Sequence, residues 1–270
     1  MQTNTVRAPG LLCVRRNPQA DMRLICTSYA GGGASTFSNW QRDLPPNVEL
    51  HAVQLPGRET RIFDSPFTAM PELVEALAPV IAPLTGKPYA LFGHSMGALI
   101  SFELCRYMRR NGLASPEALF VSGHRAPHLP DLDPPIHNLP TADFLLELRD
   151  LNGTASEVFE HEELLELAIP GLRADFQVCE TYAFTAEAPL DVPIVAFGGL
   201  SDSDVGKQDI DGWRIHTSSQ FKLGMLPGDH FFINSARTIL LQRLSQELYG
   251  FIRPRAMGRF DSARSPVPAY

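Results

Sequence analysis

An α/β architecture, with a mostly parallel central sheet flanked by helices, is predicted by three features of the sequence. Short apolar runs alternate with longer segments of helical period. The runs carry Val, Ile, Leu and Phe without strict polar alternation, the pattern of strands covered on both faces. One run leads directly into Gly93-His94-Ser95-Met96-Gly97, a turn that joins a strand to a helix. Strand and helix in alternation imply βαβ units and a parallel sheet.

The predicted strands are Arg23–Ser28, Glu49–Gln54, Tyr89–Gly93, Ala118–Gly123, Pro193–Phe197 and Phe221–Leu226. The predicted helices are Ser35–Asp43, Met70–Leu84, Met96–Asn111 and Ser235–Tyr249. One long stretch lacks a strand. It opens with Pro127, Pro130, Pro134 and Pro135 and continues in helix-like segments, Thr141–Leu151, Glu162–Ile169 and Gly171–Tyr182. Thr141 suits an N-cap. Leu145, Leu146 and Leu148, then Leu164, Leu165 and Leu167, give leucine-rich faces. These read either as a helical layer on the core or as a lid, and the lid is favoured because a long insertion in a compact domain usually serves function. The expected organisation is a flexible N-terminus over residues 1–10, a core over 11–125 and 188–253, a helical lid insertion over 126–187 and a disordered tail over 254–270.

The chain has 270 residues and a net charge of −7, so general nucleic-acid binding, which needs a basic footprint, is not expected. No apolar run approaches the ~18 residues that cross a bilayer. Leu11 to Val14 meet Arg15-Arg16 too soon for a signal-peptide core, so the chain reads as cytoplasmic, with no membrane partner. Cys13, Cys26, Cys105 and Cys179 show no metal-ligand spacing and read as structural thiols, with no metal site expected.

The chemistry centres on Ser95. A serine hydroxyl attacks only when it is exposed, paired with a base and faced by donors for the oxyanion. G-x-S-x-G between a strand and a helix supplies that exposure, with small residues at 93 and 97 so that the chain segments fit. The amide of Met96, at the helix N-terminus, is a candidate oxyanion donor. His94 adjoins the serine, but adjacent side chains diverge at such a turn, so it reads as a packing or hydrogen-bonding residue. His230, in Pro227-Gly228-Asp229-His230-Phe231 between the last strand and the last helix, has the position of the base in the order Ser, Asp, His. The acid falls after the strand Pro193–Phe197, where Asp202 and Asp204 are nearly equivalent choices. Asp191 precedes that strand, and Asp229 reads as a loop-holding residue. Ser28-Tyr29-Ala30-Gly31-Gly32-Gly33 follows the first predicted strand and suits a second oxyanion donor. A phosphate loop is the weaker reading, because no lysine follows as in a P-loop.

Tyr29-Ala-Gly-Gly-Gly-Ala, Leu55-Pro-Gly-Arg-Glu, Phe92-Gly-His-Ser-Met-Gly-Ala, Ser122-Gly-His-Arg-Ala-Pro, Leu172-Arg-Ala-Asp-Phe and Pro227-Gly-Asp-His-Phe-Phe stand in one order. Through them, residues 12 to 252 resemble the type II editing thioesterases of polyketide and nonribosomal peptide synthetases, on the α/β-hydrolase fold. The thioesterase of animal fatty-acid synthase is a more distant likeness. The resemblance implies Ser95 as nucleophile, His230 as base, and Ala30 and Met96 as oxyanion amides. Its G-x-x-D-x-x-V pattern falls on Gly199, Asp202 and Val205 and so chooses Asp202, although Ser201 and Ser203 depart from the usual neighbours. His124 stands where the family often has arginine. The implied substrates are acyl groups on the phosphopantetheine of acyl or peptidyl carrier proteins, with no cofactor of the enzyme's own. A monomer is expected. Such carriers are acidic, which makes Arg15, Arg16, Arg58, Arg61 and Arg125 candidates for meeting them, Arg58 equally for an internal salt bridge. The rivals are a carboxylesterase or acyltransferase on free small molecules, and a non-catalytic interaction module.

Overall fold

The structure, a computed structural model, describes residues 10–14, 16–131, 133–150 and 162–252. The expectations for residues 1–9, for Arg15, for the end of the first insertion helix at Leu151 and for the tail over 254–270 lie outside the described residues. Among the described residues, seven strands form one sheet: β1 (Gly10–Cys13), β2 (Met22–Thr27), β3 (Val48–Gln54), β4 (Tyr89–His94), β5 (Ala118–Ser122), β6 (Ile194–Gly199) and β7 (Phe221–Leu226). Their order across the sheet is β1-β3-β2-β4-β5-β6-β7, with β1 antiparallel to β3 and every other pairing parallel. Strand β1 is absent from the predicted strands; it begins at Gly10, the last residue of the stretch expected to be flexible, which pairs with Gln54. Four residues carry too little pattern to be read without their partner strand.

Helices α1 (Met70–Ile81) and α2 (Met96–Arg110) cover one face. Leu73, Leu77, Leu99 and Phe102 pack there against Ile25, Leu91 and Leu119 in one apolar cluster. The other face is covered by α7 (Arg237–Phe251) and two 3₁₀ turns, Ala34–Phe37 and Trp40–Arg42. These replace the helix expected over Ser35–Asp43. Phe37 and Trp40 are both buried and meet edge to face with centroids 5.0 Å apart. Their i, i+3 spacing falls on one line in a 3₁₀ winding. Leu240, Leu244 and Leu248 complete this second layer with Phe92 and Phe120.

Two short helices, α5 (Lys207–Asp211) and α6 (Phe232–Ser235), follow β6 and β7. The insertion holds α3 (Thr141–Asp150) and α4 (Glu162–Glu180). Helix α4 runs through Pro170 as one element, where two segments were expected. Thr141 is the first helical residue rather than the cap, and its hydroxyl accepts from Arg173 at 3.3 Å. Phe144, Leu148 and Leu172 form a small core between α3 and α4, while Leu146, Leu164 and Leu167 are exposed. No described helix is long and apolar enough to cross a membrane.

The chain lays β3 on one side of β2 and β4 on the other. Loops leaving β2 and β4 therefore diverge at the carboxyl edge, where open α/β sheets place their sites. Leu77 and Leu244 are both fully buried, one under each helical layer. Replacing either by alanine is expected to cost about 2–5 kcal/mol of folding stability in urea titrations. A loss below about 1 kcal/mol at both positions would contradict this assignment of the two cores.

Candidate active site

Strand β4 ends at His94 and α2 begins at Met96, leaving Ser95 alone at the corner with φ 54° and ψ −122°. A non-glycine residue in that region costs on the order of 1–3 kcal/mol. Backbone bonds hold it: the Ser95 amide donates to the Ser122 carbonyl at 2.7 Å, and the Ala98 amide donates to the Ser95 carbonyl at 2.8 Å. A Cβ at Gly93 would lie 1.9 Å from the Gly97 oxygen, and one at Gly97 would lie 2.1 Å from the Thr27 oxygen. The two glycines are therefore required by close approach, as the G-x-S-x-G reading expected.

Three predicted side chains meet at this corner. His230 Nε2 lies 3.0 Å from Ser95 Oγ, and His230 Nδ1 lies 2.9 Å from Asp202 Oδ2. A carboxylate only accepts, so Nδ1 carries the proton and Nε2 is left to accept from the serine hydroxyl. The Asp202 side chain is 0% exposed, against 21% for His230. Its second oxygen, Oδ1, accepts from the amides of Asp204 and Val205, each at 3.0 Å. Burial works against ionisation of this carboxyl. The hydrogen bond and positive charge of His230, with the two amides, outweigh it and hold the Asp202 pKa below its ordinary value. Asp204 is exposed, and its carboxylate accepts from Ser203 Oγ at 2.9 Å. Of the two aspartates that sequence physics left open, Asp202 is the one beside His230.

His94 lies entirely inside. Its Nε2 is 2.9 Å from the carbonyl of His230 and its Nδ1 is 2.9 Å from Ser122 Oγ. A carbonyl only accepts, so Nε2 carries the proton and Ser122 donates to Nδ1. Burial, then the nearby His230 charge, push the His94 pKa well below the usual histidine value. A neutral imidazole with both nitrogens engaged is a structural strut, as its position beside the serine suggested. Ser122 thereby touches both halves of the site: its carbonyl holds the Ser95 amide and its hydroxyl holds His94. That link was not legible in the sequence: His94 read as a hydrogen-bonding residue beside the serine, but nothing in the type or spacing of Ser122 marked it as the partner.

Met96 is buried at the first position of α2, where helix amides have no intrahelical acceptor. Ala30 is half-buried in the loop after β2. The same loop spends three further amides internally: Gly32 donates to the Tyr29 carbonyl at 2.9 Å, Gly31 to Asp175 at 2.7 Å and Ala34 to Gln54 at 3.0 Å. A phosphate would have to displace those acceptors, one of them the Asp175 carboxylate, which weighs against the phosphate-loop reading. Arg58 and Asp175 form a buried bidentate pair at 2.8 and 2.6 Å, so Arg58 is an internal residue. Asp175 had no role assigned beyond its motif. Its signal was a charged residue three beyond Leu172 and three before Val178, on the buried stripe of α4. Arg61 pairs with Asp64 and Arg125 with Asp131, while Arg16 is exposed.

His124 and His216 are both held low, to about 4. Burial is the main cause, followed for His124 by an opposing bond to the Arg125 carbonyl and the charge of His230, and for His216 by the charges of His128 and Arg106. An unfolded chain protonates these histidines near pH 6.5. The folded state is then fully favoured above about pH 6.5 and loses stability as pH falls toward 4, each histidine adding up to one proton to the difference. Urea midpoints are expected to fall steadily through that window and more gently in His216→Gln. A flat profile between pH 6.5 and 4.5 would contradict the assignment.

A thioesterase-domain family profile matches residues 22–248. The chain is 42% identical over 254 residues to the protein named linear gramicidin dehydrogenase LgrE of Brevibacillus parabrevis, covering 93% of this chain and 97% of that protein. It is similar to the solved structure of RedJ, a thioesterase from the prodiginine pathway of Streptomyces coelicolor, with TM-score 0.80 and 40% identity over 84% of this chain and 91% of that one. It is also similar to the type II thioesterase BorB from the borrelidin biosynthetic cluster, with TM-score 0.81 and 36% identity over 88% and 97% of the two chains. With a mostly parallel sheet carrying a strained serine at its switch point, the chain belongs to the thioesterase family, hydrolases of thioester bonds built on the α/β-hydrolase fold.

Proposed function

We propose that this protein is a type II thioesterase of nonribosomal peptide or polyketide assembly. It hydrolyses acyl groups from the phosphopantetheine arm of carrier proteins and so clears stalled or wrong intermediates. The observation that carries the proposal is the unbroken chain from Ser95 through His230 to Asp202, at 3.0 and 2.9 Å. His230 takes the Ser95 proton at Nε2 as Oγ attacks the thioester carbonyl carbon. The amides of Ala30 and Met96 hold the tetrahedral oxyanion. The C–S bond breaks, and His230 returns the proton to the departing sulfur. Water, deprotonated by His230, then attacks the acyl-serine, and the acid leaves with the proton back on Ser95. Asp202 stays ionised throughout and stabilises the imidazolium. No step calls for a metal or prosthetic group.

Support for the carrier-bound substrate comes from the relatives named for linear gramicidin, prodiginine and borrelidin. The dehydrogenase in the first of those names is not carried over, because the sequence contains no G-x-G-x-x-G turn after a strand. The helical insertion acts as a lid over the acyl group. Among the described arginines at positions 16, 58, 61 and 125, Arg16 is the exposed one and the candidate for meeting an acidic carrier; Arg58 is buried against Asp175. The cytoplasm is the compartment that fits such a partner.

Ser95→Ala and His230→Ala are expected to lower kcat on the scale of ~10⁶, and Asp202→Asn by ~10⁴. Asp204→Asn should stay within a few-fold of wild type in the same assay. Equal losses at 202 and 204 would overturn the choice of acid. In a panel of acyl-carrier protein, acyl-coenzyme A and simple esters, the carrier is expected to give the highest kcat/KM. Esters ahead by orders of magnitude would make the protein a carboxylesterase instead.

A further inference from the structure

The buried pair Arg58 and Asp175 has no part in the proton chain, yet it reaches the oxyanion loop. Asp175 sits on α4 of the insertion and is 2% exposed; Arg58 is 6% exposed in the turn after β3. One carboxylate oxygen accepts from Arg58 Nη2 at 2.6 Å. The other accepts twice, from Arg58 Nη1 at 2.8 Å and from the backbone amide of Gly31 at 2.7 Å. Arg58 Nη1 also reaches the Gly32 carbonyl at 3.2 Å. The clasp thus joins the insertion, the turn after β3 and the glycine loop after β2.

The loop explains what such a clasp achieves. Gly32 donates to the Tyr29 carbonyl, and Gly31 has φ +78°. That is a type II turn with Ala30 and Gly31 at its centre, the form that needs glycine at its third position. The Tyr29 carbonyl points into the turn, so the Ala30 amide, trans to it across the same planar peptide, points out. The central peptide, between Ala30 and Gly31, is the part of a turn free to flip. With its N–H aimed at Asp175 it is fixed, because a flip would aim the Ala30 carbonyl at a carboxylate. The Ala30 amide itself belongs to the preceding peptide, which the Gly32-to-Tyr29 bond orients, so the clasp acts on it by holding the turn as a whole through Gly31 and the Gly32 carbonyl. Leu172, from the same helix, closes the other side: a Cβ on Gly31 would come within 2.5 Å of its Cδ2.

We infer that Asp175, braced by Arg58, is a positioning residue that holds the Ala30 amide in its oxyanion-binding orientation, so that docking of insertion helix α4 and assembly of the oxyanion site are one event. The inference rests on the serine mechanism above. Its prediction is specific to the transition state, because an oxyanion donor binds charge that develops only there.

The test uses the full-length chain with an acyl-N-acetylcysteamine thioester as substrate and a matching trifluoromethyl ketone as oxyanion analogue. Arg58→Met with Asp175→Leu removes both charges together, so no unpaired ion is left inside and the fold is retained. Its melting temperature is expected to stay near wild type. Its kcat should fall ~10–100-fold, somewhat less than outright loss of one oxyanion donor, with KM within about three-fold. Affinity for the ketone should fall in parallel with kcat/KM. Asp175→Asn keeps an acceptor for Gly31 without the charge and should show a smaller loss of the same kind. Wild-type kcat in both variants, or a kcat loss with unchanged ketone affinity, would overturn the inference while leaving an inactive Ser95→Ala to uphold the serine mechanism. An active Ser95→Ala would bring down both.

Discussion

Everything at the carboxyl edge of the sheet is arranged around a backbone corner that an ordinary residue avoids. Ser95 stands at φ 54° between the end of β4 and the start of α2. The corner is so tight that neither Gly93 nor Gly97 has room for a β-carbon. A corner of this kind does not hold itself. It is pinned by the Ser122 carbonyl from the neighbouring strand and by the first turn of α2; that strand sends Leu119 and Val121 into one core and Phe120 into the other, and α2 packs in the first. The strain lifts the serine hydroxyl clear of the sheet and leaves the first amides of α2 without intrahelical partners. In the mechanism we propose, exposure of the nucleophile and supply of an anion-binding amide are two consequences of one geometry.

The histidine loop must then be brought to that corner from more than a hundred residues away, and its polar groups cannot be left unpaired in a partly dry site. Asp202 meets this demand with a fully covered carboxylate, one oxygen on two backbone amides and the other on His230. His94 meets it from below, donating to the His230 carbonyl while accepting from Ser122. The imidazole of His230 is therefore set by its side chain from one direction and by its backbone from the other. A neutral His94 suits this role: charged, it would be a fully buried cation facing the imidazolium at His230.

Much of this arrangement was legible in the sequence because it rests on local chemistry. Phe221–Leu226 is a strand over the span its apolar run marked, and Ser95 and His230 sit on the turns where G-x-S-x-G and the Gly-Asp-His-Phe segment placed them. What escaped depends on partners distant in the chain. Strand β1 is four residues completed by β3. The region after Gly33 winds as 3₁₀ turns because Phe37 and Trp40 must both enter the core. Pro170 reads as a break, yet α4 continues through it. Asp202 and Asp204 are equivalent in local terms, and only the fold decides which one reaches His230. Arg58 read as well on a surface as inside, because its carboxylate partner lies 117 residues away.

The insertion gains its meaning from the same distant partners. Leu172 and Asp175 lie on one stripe of α4 and bring an apolar contact and a charge to the glycine loop. A helix of the insertion is thereby tied to the loop proposed to face the reacting carbonyl. The central claim remains that Ser95 is the group that reacts, made nucleophilic by His230 at the strained corner. Its most direct test is intact-mass and peptide mapping after treatment with a fluorophosphonate. The account predicts one adduct, on the peptide containing Ser95, that is lost in Ser95→Ala and forms far more slowly in His230→Ala. An unlabelled wild type, or equal labelling of Ser95→Ala, would contradict it.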